Sequence, residues 1–242
     1  MILKNIWVAT MIEHESDLYE PVKKLFEDNG YTVKGEVQGC DVAAVKGEEL
    51  VLCELKKSFN LKLVYQLMER KKLAPTVYAV IPTPKSFRAK HTKSMLELLK
   101  KIGAGLVTVS PETGLAQIVL TSGDNSENPT KKRVRTRKKI AEEVCGRFAD
   151  NTGGINKTEL MTLYKENSLA ALCYIESNEI LKTRIIKKEI VNVIRSNHYE
   201  WFERIGRGEY IMTDKGRAAL SEEKYKTVTD YYRNEVNEKC LK

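Results

Sequence analysis

The chain has 242 residues, of which 42% are hydrophobic and 31% charged, and its formal net charge is +8. This length suits one large or two small domains, and the composition is that of an ordinary globular chain, not a disordered or fibrous one. No apolar run is long enough to cross a bilayer, and the acidic residues that closely follow Met1–Trp7 do not fit a signal peptide, so a cytoplasmic protein without a membrane partner is expected.

The expected elements begin with an amphipathic helix over Ser16–Asp28. Leu18, Val22, Leu25 and Phe26 share its face, Pro21 fits only its first turn, and Asn29-Gly30 ends it. Strands are expected at Tyr31–Val37, Asp41–Val45 and Leu50–Lys56, with Lys46–Glu49 as the hairpin turn between the last two. A helix over Leu61–Leu73 leads to a continuous apolar strand, Thr76–Ile81, fit for the centre of a sheet. A helix over Phe87–Ile102, stopped by Gly103, precedes two closing strands, Leu106–Val109 and Ala116–Leu120. The order is that of an α/β fold, a mixed β-sheet flanked by helices.

Residues 121–130 are polar and aperiodic and read as the start of a linker. Downstream, helical patterns cover Arg137–Ala149, Lys157–Lys165 and Lys187–Ile194, with a further helical stretch at Ala170–Ile175. Residues 200–205 and 209–213 flank Gly206-Arg207-Gly208 as a hairpin, and a final helix follows Asp214. Helices followed by a short hairpin make a mostly helical, winged-helix-like domain. The expected division is 1–121, a polar then basic linker at 122–139, and 140–242.

The charge is concentrated. Residues 131–139 hold seven cations and no acid, while the stretches on either side are close to neutral. Such a run attracts phosphates; it reads equally as a solvated linker.

The chemistry centres on one hairpin. If Val45 pairs with Leu50, the register places Asp41 opposite Glu54, with Cβ atoms roughly 4.5–5.5 Å apart, and puts Lys56 on the same face. Two carboxylates side by side repel unless something positive lies between them, and their neighbours, such as Val42, Ala44, Val51, Leu52 and Leu55, are apolar. Hard cations suit this set. Mg²⁺ (or Mn²⁺) takes one or two carboxylates and can activate water against a phosphodiester, while Lys56 orients that water or neutralises charge at phosphorus. The bland alternative is a charged, solvated strand face. Glu36 lies on the preceding strand. The five cysteines form no CxxC pair, and His14, His91 and His198 have no ligand spacing.

Gly39-Cys40-Asp41 followed by Glu54-Leu55-Lys56, on a hairpin between two helices, resembles the PD-(D/E)XK nuclease core, with Cys40 where the motif has proline. The resemblance runs over about Leu18–Val109, and the whole chain is similar to a bacterial family of PD-(D/E)XK phosphodiesterases. It implies a restriction-endonuclease-like core with Asp41, Glu54 and the Leu55 carbonyl as metal ligands and Lys56 as the catalytic lysine. Glu20, on the first helix, matches an acid near the metal; Gln66, on the helix after the motif, matches a glutamine that shapes the site.

In the C-terminal region, Lys182–Val191 reads as a basic recognition helix presenting Arg184, Lys187 and Lys188, with Arg204 and Arg207 as wing contacts to phosphate. The alternative is a docking module. The expected activity is metal-dependent hydrolysis of nucleic acid, foremost DNA. A non-catalytic winged-helix DNA-binding regulator is the other reading, and cutting both strands would favour a homodimer.

Overall fold

The computed structural model describes residues 12–123, 131–154 and 159–241, apart from the side chains of residues 131, 132, 236 and 237. The readings of the N-terminal stretch 1–7 and of linker residues 124–130 lie outside the described residues. The chain divides into two compact units, Met1–Gly146 with Asp150–Leu160, and Arg147–Ala149 with Met161–Lys242.

The first unit carries a sheet of six strands in chain order: β1 (Thr32–Val37), β2 (Cys40–Lys46), β3 (Glu49–Leu55), β4 (Thr76–Pro82), β5 (Gly105–Val109) and β6 (Ala116–Leu120). The pairs β3–β4 and β4–β5 are parallel and the rest antiparallel. The helices α2 (Leu61–Lys71) and α3 (Lys90–Ile102) make the two parallel crossovers. A mixed sheet flanked by helices is therefore present, as expected.

Local chemistry sets the element ends. Asn60 caps α2 by accepting from the Leu63 amide at 3.0 Å, and Gly103 closes α3 in the left-handed region, φ 72°. A 3₁₀ turn (Glu15–Leu18) leads into α1 (Tyr19–Glu27), with Pro21 in its first turn. Alternation along the strands sorts the core onto two faces. One face packs Ala43, Leu52, Val77 and Ala79 beneath Leu63 and Leu67 of α2 and Leu99 of α3. The other packs Val42, Val51, Val80 and Val107 beneath Leu18, Tyr19, Val22 and Phe26.

The basic run forms part of a helix, α4 (Lys131–Gly146), whose Ile140 and Val144 are buried in the first of these faces. The first unit thus extends well past residue 121, and the cations at 131–139 ride on a packed helix where a linker at 122–139 was expected. The physical reason is the spacing of Ile140 and Val144, one helical turn apart, with Arg133 and Arg137 on the same side.

The second unit is built on α5 (Leu163–Asn178), a single helix buried from Lys165 to Ile175. Thr162 caps it, and residues 159–162 before it are irregular, so the helix expected at Lys157–Lys165 begins only at Leu163; residues 157 and 158 lie outside the described residues. Glu166, fully buried, accepts from the amides of Phe148 and Ala149 at 2.7 and 2.9 Å and from the Tyr232 hydroxyl. Around α5 lie β7 (Leu181–Lys182), α6 (Lys188–Ser196), β8 (Phe202–Gly206), β9 (Glu209–Met212), α7 (Asp214–Leu220) and α8 (Lys226–Cys240). The strands form a three-stranded sheet in the order β7–β9–β8. Between β7 and β8 stands one helix, α6.

Candidate metal and phosphodiester site

The β2–β3 hairpin has the register read from the sequence: Val45 pairs with Leu50, and the ladder runs to Val42 opposite Cys53. One step further, the Leu55 amide donates to Asp41 Oδ2 at 2.8 Å, which fixes that carboxylate at the end of β2. Asp41 lies close enough to Glu54 for its charge to act on that carboxyl. Glu54 is 0% exposed, so its charge depends on what surrounds it. From α2, Gln66 Nε2 donates to its Oε2 at 2.6 Å and Arg70 Nε to its Oε1 at 2.5 Å. The Arg70 guanidinium also donates to the Gly39 carbonyl, joining α2 to the turn before Asp41.

Lys56 is buried at the end of β3. Its ammonium lies 2.7 Å from Glu15 Oε2 and donates to its neighbour's carbonyl, that of Leu55, at 2.7 Å. Burial and the neighbouring Asp41 push the Glu54 carboxyl up to about 7, against the lowering pull of Arg70 and Lys56. Burial also raises Asp41, against the Leu55 amide and Lys56, which lower it. Both acids thus hold protons more tightly than usual.

The structure therefore brings Asp41, Glu54, Lys56, the Leu55 carbonyl and Gln66 together. Glu20 is exposed on α1, and Glu15 from the preceding 3₁₀ turn is the acid at Lys56. Glu15 and Arg70 were not singled out in the sequence. Arg70 had a usable signal, since it lies one helical turn beyond Gln66 on the same face. Glu15 had none, because its approach to Lys56 is set by how the α1 entrance packs on the sheet. Glu36 sits in the left-handed region, φ 52°, and accepts from the Gly154 amide at 2.8 Å.

The donors suit a hard divalent cation. All are oxygens, and buried Gln66 Oε1 has no hydrogen-bond partner beside Glu54. Burial raises Glu54 and Asp41, and a bound cation would favour their ionised forms. Among the described residues no three His, Cys, Asp or Glu side chains gather as a metal cage. Mg²⁺ does not need one, since it is commonly held by one or two carboxylates with water completing its shell.

In the second unit, the expected basic helix over Lys182–Val191 begins only at Lys188. Thr183, before it, donates its amide to the Gly208 carbonyl at 2.8 Å, which sets Arg184 beside the hairpin tip that bears exposed Arg207. Arg204 is exposed on β8, and its Nε donates to the Gly206 carbonyl at 3.0 Å. The Lys187 ammonium bonds to the carbonyl of Glu238 on α8.

Over residues 106–219, a little under half of the chain, the sequence matches the family described as "Putative PD-(D/E)XK phosphodiesterase". This match bears out the resemblance, and the six-stranded mixed sheet fits a PD-(D/E)XK core. Nucleases of that superfamily generally use divalent metal ions. The matched residues run from β5 to α7 and do not include Asp41, Glu54 or Lys56. No curated protein and no solved structure matches the chain. No helix among the described residues is long and apolar enough to cross a membrane.

Proposed function

We propose that this chain is a metal-dependent nuclease that hydrolyses phosphodiesters of DNA at Asp41, Glu54 and Lys56. The observation that carries this reading is a carboxyl pair at the end of one hairpin, fully buried Glu54 beside half-buried Asp41, held by the Leu55 amide, Gln66 and Arg70. Buried acids cost stability, and such a pair is retained where a cation is to be held. Asp41, Glu54 and the Leu55 carbonyl would hold Mg²⁺ or Mn²⁺. When bound, the ion supplies Lewis-acid polarisation of a phosphoryl oxygen. Lys56 brings a positive charge to the same strand end, where it can stabilise charge developing at phosphorus, and Glu15 orients its ammonium. Gln66 and Arg70 position Glu54. The second unit we read as winged-helix-like, with Arg184, Lys188, Arg204 and Arg207 meeting DNA phosphates.

One observation favours a non-catalytic DNA-binding regulator: Arg70 already gives Glu54 a cationic partner without any metal. Cleavage of linear, circular and branched DNA with Mg²⁺ or Mn²⁺ separates the two. Wild type is expected to cut, and Glu54→Ala and Lys56→Ala to lose at least about 100-fold in rate. DNA binding with no cutting by wild type would replace the nuclease with the regulator.

A further inference from the structure

Among the residues of α4 whose side chains are described, three cations are exposed. Arg135, Lys138 and Lys139 are all exposed and lie three and four residues apart, one face of the helix over about 6 Å of its length. The opposite side is anchored. Ile140 and Val144 are in the core, Arg137 Nε donates to the Leu73 carbonyl just past α2, and Glu143 accepts from Gln38 at 2.8 Å. Gln38 is in the β1–β2 turn that leads to Asp41, and α2 carries Gln66 and Arg70. The helix is thus fastened to the same two elements that build the carboxyl site.

A stripe of this kind costs stability. Arg135 and Lys139, four residues apart, repel each other, and the Lys138 ion pair with Glu142, at 3.8 Å, is exposed on both sides and so offsets little of this. A helix kept only for packing would mix its surface charges. A polyanion repays the repulsion, and a single nucleic-acid strand presents a phosphate about every 3.4 Å along the duplex axis, so two or three phosphates span the stripe.

We infer that Arg135, Lys138 and Lys139 of α4 form a phosphate-contacting surface on which the first unit holds a DNA backbone. The choice of DNA as the polyanion rests on the nuclease reading; the contact itself needs no metal. The test is fluorescence anisotropy of a labelled DNA duplex with the full chain in EDTA, from 50 to 200 mM KCl. The comparison is with the triple variants Arg135→Ala/Lys138→Ala/Lys139→Ala and Arg135→Gln/Lys138→Gln/Lys139→Gln, both checked for an unchanged melting temperature. Loss of three contacts should flatten the log–log salt slope by about 3, so that across this range wild type loses roughly 40-fold more affinity than either variant. Equal slopes, or no binding of the duplex by wild type, would overturn the inference. Because EDTA prevents hydrolysis, a protein that binds with the expected slope difference yet never cuts with Mg²⁺ refutes the nuclease reading and leaves this contact standing.

Discussion

Arg70 Nε lies 2.5 Å from Glu54 Oε1, a cation one-sixth exposed set against a carboxylate with no exposure at all. Removing the cation leaves a buried charge alone, so Arg70→Met is expected to cost about 2–4 kcal/mol at pH 8, the lower part of the usual range because Arg70 is partly solvated. At pH 5, below the Glu54 value of about 7, the carboxyl is protonated and needs no cation, so the penalty should shrink. Urea unfolding at both pH values checks this; equal penalties would mean that Arg70 contributes packing alone.

The same pair predicts how the metal-free protein responds to pH. Glu54 is raised from 4.5 to about 7, so its favourable contribution is full below about 4.5 and is lost as pH rises through 7, a change on the order of 3 kcal/mol. Asp41 is raised as well and adds in the same direction. A divalent cation favours the ionised forms, so stabilisation by Mg²⁺ should grow from pH 5 to pH 8. Thermal melts with and without Mg²⁺ across this range test both slopes. Glu54→Gln should flatten the metal-free slope and weaken the Mg²⁺ effect. A stabilisation by Mg²⁺ that does not change with pH would detach the ion from these carboxyls.

Much of this site could be read in advance because short-range rules govern it. The Lys46–Glu49 turn sets the pairing of Val45 with Leu50, and the pairing then carries Asp41 to Glu54. Gly30 and Gly103 stop helices in the left-handed region, as their positions suggest. What escaped was tertiary or masked by charge. The helix over Arg137–Ala149 was legible, but seven cations in nine residues concealed that it starts at Lys131, and the packing of its Ile140 and Val144 on the first unit is tertiary. Lys182–Ile186 is rich in cations, but Ile186 is drawn into a bridge with Leu241, and helix begins only after it. The tie between Thr183 and Gly208 likewise depends on a hairpin more than twenty residues away.

Gly153 predicts a backbone constraint on the site. A Cβ there would lie 2.3 Å from the Asp41 carbonyl oxygen and 2.9 Å from the Tyr19 ring. The carbonyl belongs to β2 and cannot swing aside, so Gly153→Ala should destabilise by about 1–3 kcal/mol and lower hydrolysis by displacing Asp41. Gly47, at φ +59°, has nothing within 4 Å of its Cβ, so Gly47→Ala should cost about 1 kcal/mol of strain and leave hydrolysis at the wild-type rate. Urea unfolding and cleavage rates on both variants distinguish a contact at the site from a turn requirement.

Glu15 and Glu20 provide the sharpest contrast between the motif and the folded site. Both are acids near the start of α1, and the motif favours Glu20. In the structure Glu20 is exposed, while Glu15 Oε2 holds the Lys56 ammonium at 2.7 Å. Glu15→Gln keeps an oxygen for the ammonium but removes the charge that orients it, so cleavage should fall by about 10-fold, a loss near 1.4 kcal/mol. Glu15→Ala should lose more, because Lys56 is then buried with only the Leu55 carbonyl as its named acceptor. Glu20→Ala should stay within about two-fold of wild type, as expected for an exposed substitution. Cleavage rates for the three variants at saturating Mg²⁺ decide the matter. A large loss in Glu20→Ala with none in Glu15→Gln would return the acid's role to α1 and mean that the bound state rearranges the α1 entrance.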